Sequence, residues 1–308
     1  MRTRDGQFTE FDVPGANPTA GCTCPVAIND RGVIAGYYID TNSVGHGFLR
    51  APNGKFTTFN PPGAANQSGG TIVLGLNLEG ATAGYYRDAS SEAHGFVRSP
   101  DGEFTTFEAP GACTTGLNNG CHATGAWDIN IVGTVVGAYE DTSGNFVAHT
   151  FIRSHDGTFT TFSFPGSSME AGQGTLPAQT SGLNDSGAIT GLYYDVNNTI
   201  HGYLRSPDGA FTSFDAPGAD MTIPYNGTYP TSLNDIGAIT GQSLDINEIF
   251  HGFVRSRAGE FETFDAPGAD TNAGDYNGTF PIDMNLFGAV TGYYIDASSV
   301  YHGFVRTP

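Results

Sequence analysis

The sequence predicts an all-β protein built from six copies of one four-stranded unit. Three observations predict it. An F-x-x-F element recurs six times at intervals of 48 to 55 residues, tight-turn sequences with Asn or Asp before Gly recur between strand-like segments, and 44 of the 308 residues are glycine while only 14% are charged. This composition is typical of short strands joined by tight turns rather than of helices. The 22 Phe residues argue against disorder, because they can build a core.

Each unit contains the same landmarks in the same order. The first Phe of the F-x-x-F element is Phe8, Phe56, Phe104, Phe159, Phe211 and Phe261. An Asn that opens a turn follows at Asn29, Asn77, Asn130, Asn184, Asn234 and Asn285. A Gly-Tyr-Tyr-like segment then ends at Asp40, Asp88, Asp141, Asp195, Asp245 and Asp296. A His-Gly-Phe-Val-Arg segment begins at His46, His94, His149, His201, His251 and His302. It ends at Arg50, Arg98, Arg153, Arg205, Arg255 and Arg306.

These landmarks predict four strands per unit, which we call A to D. Strand A ends at the Asn, strand B is the Gly-Tyr-Tyr segment, strand C is His-Gly-Phe-Val-Arg and strand D is F-x-x-F. The A–B and C–D turns carry the Asn/Asp-Gly sequences that tight hairpins need. Four antiparallel strands in about fifty residues match one propeller blade, so we predict a single six-bladed β-propeller. The predicted blades span 24–61, 72–109, 125–164, 179–216, 229–266, and 280–308 together with 5–13.

The two ends of the chain predict how the ring closes. The chain begins with a strand D segment that contains Phe8 and Phe11, and it stops just after a strand C segment that ends at Arg306. Together they make one C–D hairpin, so the N-terminal segment is expected to complete the sixth blade. Such closure removes a sheet edge, whereas an open array would need polar end caps.

The segments His-Gly-Phe-Val-Arg and Leu-Asn-x-x-Gly-x-Ile-Thr-Gly resemble the bacterial "extracellular repeat, HAF family". The resemblance covers all six units, although Gly replaces the family's Ala in five of them and Thr150 replaces it in the third. It implies a secreted, propeller-like bacterial protein and no particular activity.

The charge of the chain argues against several partners. The net charge is −19, with 12 basic and 31 acidic residues, so the surface repels nucleic-acid phosphates.

The absence of a run of 18 apolar residues argues against membrane insertion by a helix. The N-terminus lacks the apolar core of a signal peptide, so either the protein is cytoplasmic or a leader was removed. The family resemblance favours an extracellular or periplasmic location, and we expect a monomer.

The four cysteines form two local pairs. Cys113 and Cys121 are spaced to close a short loop as a disulfide, which would suit an oxidising compartment. Cys22 and Cys24 are too close for an easy bridge. A zinc site built from all four cysteines is the alternative.

The B–C and D–A loops lie on one face of a propeller, and their variable sequences predict the site there. Three residues that break the repeat fall on this face around blades 2 and 3: Arg87, His122 and Trp127. They predict a pocket with a stacking aromatic ring and an acid/base group, with Glu140 and Glu170 as further candidate catalytic acids. In the alternative interpretation, Trp127 only fills a gap between blades and His122 is solvated.

A second candidate region lies in two D–A loops that share Pro-Gly-Ala-Asp and Tyr-Asn-Gly-Thr. Its candidate ligand-binding residues are Asp220, Tyr225, Asn226, Tyr229, Asp270, Tyr276 and Asn277. These residue types suit sugar hydroxyls and ring stacking, although a duplicated, well-packed loop is the alternative. Asp270, Asn272 and Asp275 loosely resemble a calcium loop, with spacing that departs from the EF-hand pattern. Calcium is the one cofactor that the sequence suggests.

The sequence favours a secreted ligand-binding propeller for glycans or another neutral polar ligand. One alternative is a lyase or hydrolase with a single asymmetric pocket near Arg87, His122 and Trp127, so enzymatic activity stays open. Another alternative is a protein-interaction scaffold. The repeated Asp, His and Arg residues are expected to be structural, with His bonded to Asp across the B–C loop and Arg either paired with an acid or covering Phe surface. A ring of six Asp residues that binds cations is the alternative for them.

Overall fold

The computed structural model describes residues 6–19, 23–66, 69–113, 123–142, 146–170, 172–272 and 276–308. Within these ranges the chain forms 23 strands and no helix. The strands pair mainly as antiparallel neighbours in chain order, which confirms the all-β architecture with four-stranded blades. No helix long and apolar enough to cross a membrane occurs in this part of the chain.

The strands follow the predicted A to D order in blades 1 to 5, and blade 6 contains strands A to C among the described residues. Blade 1 contains β1 (Thr23–Ile28), β2 (Ile34–Ile39), β3 (Val44–Arg50) and β4 (Phe56–Phe59). Blade 2 contains β5 (Gly69–Leu76), β6 (Thr82–Arg87), β7 (Ala93–Arg98) and β8 (Phe104–Phe107). Blade 3 contains β9 (Thr124–Ile129), β10 (Val135–Glu140), β11 (Ala148–Arg153) and β12 (Phe159–Phe162).

Blade 4 contains β13 (Thr175–Pro177), β14 (Ile189–Tyr194), β15 (Ile200–Arg205) and β16 (Phe211–Phe214). Blade 5 contains β17 (Thr228–Leu233), β18 (Ile239–Leu244), β19 (Phe250–Arg255) and β20 (Phe261–Phe264). Blade 6 contains β21 (Gly278–Met284), β22 (Val290–Ile295) and β23 (Tyr301–Arg306). The predicted start of blade 4 at residue 179 falls after β13, because extra residues loop out before Leu183 returns to bridge Ile189.

The His-Gly-Phe sequence of strand C has a packing reason. In blade 1 a Cβ atom at Gly47 would lie 2.4 Å from the ring of Phe59, so the glycine leaves room for the strand D ring. The next residue, Phe48, is completely buried. The same arrangement recurs at Gly95 with Phe107. The repeat therefore encodes the core of each blade.

The repeated polar residues join and brace the blades. The Asn29 Nδ2 atom donates to the backbone carbonyl of Asn77 in the next blade at 3.0 Å. The same bond links the further pairs Asn77–Asn130, Asn130–Asn184, Asn184–Asn234 and Asn234–Asn285. His Nε2 lies 2.9 to 3.7 Å from an Asp Oδ2 in all six units. The repeated His and Asp residues therefore have the structural role expected of them, and the repeated Asn residues connect neighbouring blades.

The repeated Arg covers a Phe of the preceding blade, as expected. The Arg98 guanidinium carbon lies 4.9 Å from the ring centre of Phe59. The N-terminal segment takes part in the same pattern, because Arg50 lies 4.9 Å from the ring centre of Phe11. Phe11 thus contacts blade 1 in the same way as the strand D phenylalanine Phe59 of blade 1 contacts blade 2.

The ring closure that the sequence predicts is not seen among the described residues. There, β23 pairs only with β22. Phe304 in β23 stays partly exposed, whereas its counterpart Phe48 is buried. A cavity of about 220 Å³ lies beside β23 between Phe264, Phe304 and Arg306. Phe8 in the N-terminal segment is 78% exposed.

Candidate functional site

A cavity of about 270 Å³ opens between blades 2 and 3 and reaches blade 4. It lies at the ends of B strands and the beginnings of A and C strands, on the face where the sequence predicts the site. Its walls include Tyr85, Arg87, Gly125, Trp127, Ala138, Glu140, Ala148, Gly172 and Leu176. Three residues singled out by the sequence, Arg87, Trp127 and Glu140, are thus brought together in one cavity.

The cavity exists because blade 3 has small residues at three positions. Gly125, Ala138 and Ala148 stand at the second residue of strand A, the fourth of strand B and the first of strand C. In blade 6 the corresponding residues are Phe280, Tyr293 and Tyr301. The Phe280 and Tyr293 rings stack with centroids 4.7 Å apart, and Tyr293 lies 5.5 Å from Tyr301. The stacked rings of Phe280 and Tyr293 therefore occupy in blade 6 the space that stays open in blade 3, while Tyr301 beside them is 68% exposed.

Gly125 also positions the indole of Trp127. A Cβ atom at Gly125 would lie 2.9 Å from Nε1 of Trp127, closer than two such atoms can pack. Trp127 is two residues further along β9, at an irregularity of the register between Ala126 and Asp128. The missing side chain of Gly125 therefore leaves room for the indole in the cavity wall.

Arg87 is held in the cavity by its own blade. Its Nη1 donates to the Ser91 carbonyl at 3.2 Å, and its guanidinium carbon lies 5.7 Å from the ring centre of Tyr85. The guanidinium makes no other hydrogen bond among the described residues. A guanidinium has five N–H donors, so those not bonded to Ser91 are candidate donors to a ligand. Glu140 also lines the cavity and brings a carboxylate to it, and this residue has a further interaction of its own.

Of the other two predicted catalytic residues, only Glu170 belongs to the described part of the chain. His122 lies outside the described residues, as do Cys22, Cys121 and Asp275. Glu170 is exposed and does not line the cavity. Cys113 is disulfide-bonded, and its partner lies outside the described residues.

The two Tyr-Asn-Gly-Thr loops use their polar side chains internally. The buried Asp220 accepts hydrogen bonds from the backbone and hydroxyl of Thr222 and, at 3.0 Å, from Asn226 Nδ2. These bonds, led by the Thr222 hydroxyl, lower the pKa of Asp220. Tyr225 and its counterpart Tyr276 project outward, 55% and 52% exposed.

The proposed calcium residues are arranged in the same way. Asp270 Oδ1 accepts from the backbone and side-chain amides of Asn272, and Oδ2 accepts from Asn277 Nδ2 at 3.2 Å. Both oxygens of Asp270 thus already have donors. Calcium binding stays a prediction.

One group in the described ranges has metal-ligand spacing: the donor atoms of Asp88, Glu92 and His94 lie within 4.8 Å of one another. His94 Nδ1 is bonded to Glu108, and its Nε2 lies 3.5 Å from Asp88 Oδ2. Both ring nitrogens of His94 thus face carboxylates of its own blade. Glu108 raises the pKa of His94 through that bond.

Sequence reasoning missed a buried acid in the central channel. A cavity of about 270 Å³, lined by residues of all six blades, lies at the A–B turn end of the channel. In it, Asp128 accepts hydrogen bonds from the Ile129 amide at 2.8 Å and the Leu183 amide of blade 4 at 3.0 Å. Burial raises the pKa of Asp128 to about 7, with smaller contributions from Asp283 and Asp185. One feature of the sequence indicates this buried acid: Asp128 stands at a strand A position where blade 2 has Gly75.

No family model matches the sequence. No curated protein matches it either. Among solved structures, a mutant of AofleA from Arthrobotrys oligospora has a TM-score of 0.51 at 12% identity, over 91% of this chain and 81% of that chain. A mutant of the Aleuria aurantia lectin in complex with alpha-methyl-L-fucoside has a TM-score of 0.48 at 12% identity, over 90% and 88%. At such identities the likeness to AofleA concerns the fold alone, and it agrees with the all-β architecture found here.

Proposed function

We propose that this chain is a glycan-binding propeller whose binding site is the cavity between blades 2 and 3. The observation that carries the proposal is the meeting of Trp127, Arg87 and Glu140 in one cavity. The proposal rests on these side chains rather than on the lectin likeness.

The three side chains match the chemistry of a sugar. A sugar ring has an apolar C–H face, which packs on an indole, and hydroxyls, which both donate and accept hydrogen bonds. Arg87 donates and Glu140 accepts. A cavity lined by one basic and one acidic side chain suits a neutral ligand rather than a strongly charged one. Its volume of about 270 Å³ lies just below the range of pockets for drug-sized ligands, which suits one sugar residue.

The test is calorimetric titration with a panel of methyl glycosides of neutral hexoses, pentoses and 6-deoxyhexoses, including methyl α-L-fucoside. Trp127→Ala and Arg87→Met should each weaken the binding of any glycoside found by at least about tenfold, the equivalent of about 1.4 kcal/mol. Phe287→Ala is the control, because Phe287 is an exposed aromatic residue in an A–B turn on the other face. The proposal fails if no glycoside binds, or if both site variants bind like the wild type.

A lyase or hydrolase is the second candidate. The observation that favours it is that one boundary between blades has an open cavity with an acid in its wall, Glu140. If a glycoside-cleaving activity is found, Glu140→Gln should remove turnover while leaving substrate binding within about threefold of the wild type. Retained turnover in this variant would exclude Glu140 as the catalytic acid or base.

We also propose that the N-terminal segment closes the ring as strand D of blade 6. Support comes from Phe11, which already contacts Arg50 as Phe59 contacts Arg98. In blade 1, Leu49 pairs with Thr57. By the same register, Val305 would pair with Thr9.

A cross-link tests this closure. Thr9→Cys combined with Val305→Cys should form a disulfide, detected by peptide mapping. Glu10→Cys combined with Val305→Cys is the control, because a shift of one residue points the side chain to the other face. Absence of the bond in the first variant, or equal bonding in both, would contradict this register.

We further propose that the protein works outside the cytoplasm. The disulfide at Cys113 supports this location, since stable disulfides are typical of oxidising compartments. Thiol labelling of the protein taken directly from its cells should find Cys113 blocked.

A further inference from the structure

We infer that Tyr225 and Tyr276 are two further sugar-stacking platforms, so that the natural ligand is a polysaccharide or a dense array of sugars rather than a single sugar. This inference rests on the proposed glycan-binding function and extends it to the class of ligand.

The two tyrosines occupy equivalent places on the binding face. Each precedes an Asn-Gly-Thr sequence in the D–A loop that enters a blade, Tyr225 before blade 5 and Tyr276 before blade 6. In the loop that enters blade 4, Gly172 occupies this place and forms part of the cavity wall. The tyrosines therefore stand at positions that correspond to the rim of the cavity.

The backbone at these positions favours glycine. Tyr225 has a φ of 68° and Tyr276 a φ of 52°, in the left-handed region that is unfavourable for a bulky residue. Gly172 has a φ of 72° at the equivalent place. Half of each tyrosine side chain is exposed, so core packing does not explain a residue that strains the backbone. A role in ligand binding explains why a tyrosine is present at each of these positions.

Both residues are held in place by neighbouring loops. The Tyr225 amide donates to the Asn198 carbonyl at 2.7 Å, and its ring meets that of Tyr194 at 71° with centroids 6.3 Å apart. The Tyr276 hydroxyl donates to Glu248 at 3.2 Å. A ring fixed before binding loses little conformational freedom when a sugar stacks on it. The neighbouring carbonyl and carboxylate oxygens add acceptors for sugar hydroxyls.

Open platforms of this kind bind a single sugar weakly. When one molecule carries many sugars, binding at the cavity raises the effective concentration at the platforms, and the combined affinity exceeds that of any one site by about 10² to 10⁴. The arrangement of one cavity and two platforms on one face therefore fits a ligand with repeated sugar units.

The test compares single sugars with polymers. Wild type, the double variant Tyr225→Gly/Tyr276→Gly, Trp127→Ala and the control Phe287→Ala are titrated with the methyl glycosides above and with soluble dextran, yeast mannan, galactan, xyloglucan and fucan. The double variant should bind glycosides like the wild type but lose on the order of 100-fold in affinity for the polymer that binds. Its melting temperature should be equal to or above that of the wild type, because glycine relieves the strained backbone.

Two results would overturn the inference: wild-type affinity of the double variant for the polymer, or wild type that binds a glycoside but none of the polymers. Failure of the cavity proposal looks different. In that case Trp127→Ala leaves all binding unchanged, while the double tyrosine variant still weakens polymer binding. This result would support the two tyrosine platforms and identify them as the main binding site.

Discussion

A Cβ atom at Gly125 would lie 2.9 Å from Nε1 of Trp127, so the absence of one side chain leaves room for the only tryptophan of the chain. Side chains at the equivalent position in other blades include Ile72 and Phe280. The candidate site thus depends on a glycine, which has no side chain that could contact a ligand.

The first prediction follows from this contact. Gly125→Leu should displace the indole, fill part of the cavity and weaken glycoside binding by more than about tenfold, with a loss of about 1–3 kcal/mol in the free energy of unfolding. Calorimetry and denaturant unfolding measure the two effects. The control Ile72→Leu, at the equivalent position of blade 2, should leave binding unchanged. Undiminished binding by Gly125→Leu would mean that sugars bind elsewhere.

The second prediction concerns the buried Asp128. Its pKa is about 7 in the folded chain, against about 3.9 in an unfolded chain, so the folded state holds the proton more tightly. The protonated Asp128 therefore stabilises the folded state fully below about pH 4. This contribution to the free energy of unfolding is lost as the pH rises to about 7, and over three pKa units it amounts to roughly 4 kcal/mol. Asp128→Asn cannot lose a proton.

The free energy of unfolding of Asp128→Asn, relative to wild type, should therefore rise between pH 4 and pH 8. Urea unfolding of both proteins across this range measures it, and the comparison cancels the titration of all other groups. A constant difference between the two proteins would show that Asp128 does not titrate in this range.

The third prediction concerns the pair His94 and Glu108. The Glu108 carboxylate raises the pKa of His94 above its usual value, although burial opposes the shift. Glu108→Gln should lower the His94 pKa, which NMR titration of the ring protons measures. The pair stabilises the fold below the ordinary His pKa, and this contribution is lost as the pH rises through the raised value. An unchanged His94 titration would exclude the contact.

The fourth prediction concerns Phe8. Although it is 78% exposed, closure of the ring by the N-terminal segment would bury it against blade 6. We expect Phe8→Ala to lower the free energy of unfolding by about 1–2 kcal/mol, measured by urea unfolding. The control Phe287→Ala, which removes a ring that is 81% exposed, should change it by less than about 0.5 kcal/mol. Equal effects of the two variants would favour an open ring.

The blade architecture was predictable because each structural position occurs six times. A single Phe in a strand says little, but Phe at the same place in every unit, beside a glycine such as Gly47 that makes room for a ring, specifies one packing arrangement. The offset of blade 4 was not predictable, because looped-out residues before Leu183 leave no mark in the repeat.

The candidate site was predictable only in part. Arg87 stood out as a basic residue outside the repeat pattern and Trp127 as the only tryptophan of the chain, and the structure places both in the cavity. Gly125 and Ala138 did not stand out, because a cavity comes from missing volume, and small residues are common everywhere in this chain. The raised pKa of Asp128 depends on burial by strands of other blades, which sequence spacing does not reveal.

The contrast between blades 3 and 6 has a consequence for how such proteins diversify. Gly125 and Ala138 leave a boundary open, whereas the stacked rings of Phe280 and Tyr293 occupy the corresponding space on the same backbone pattern. The number of pockets is therefore encoded in a few side chains and can change independently of the scaffold. Point mutations could convert such a protein from one site to several, or to none, while it keeps its fold.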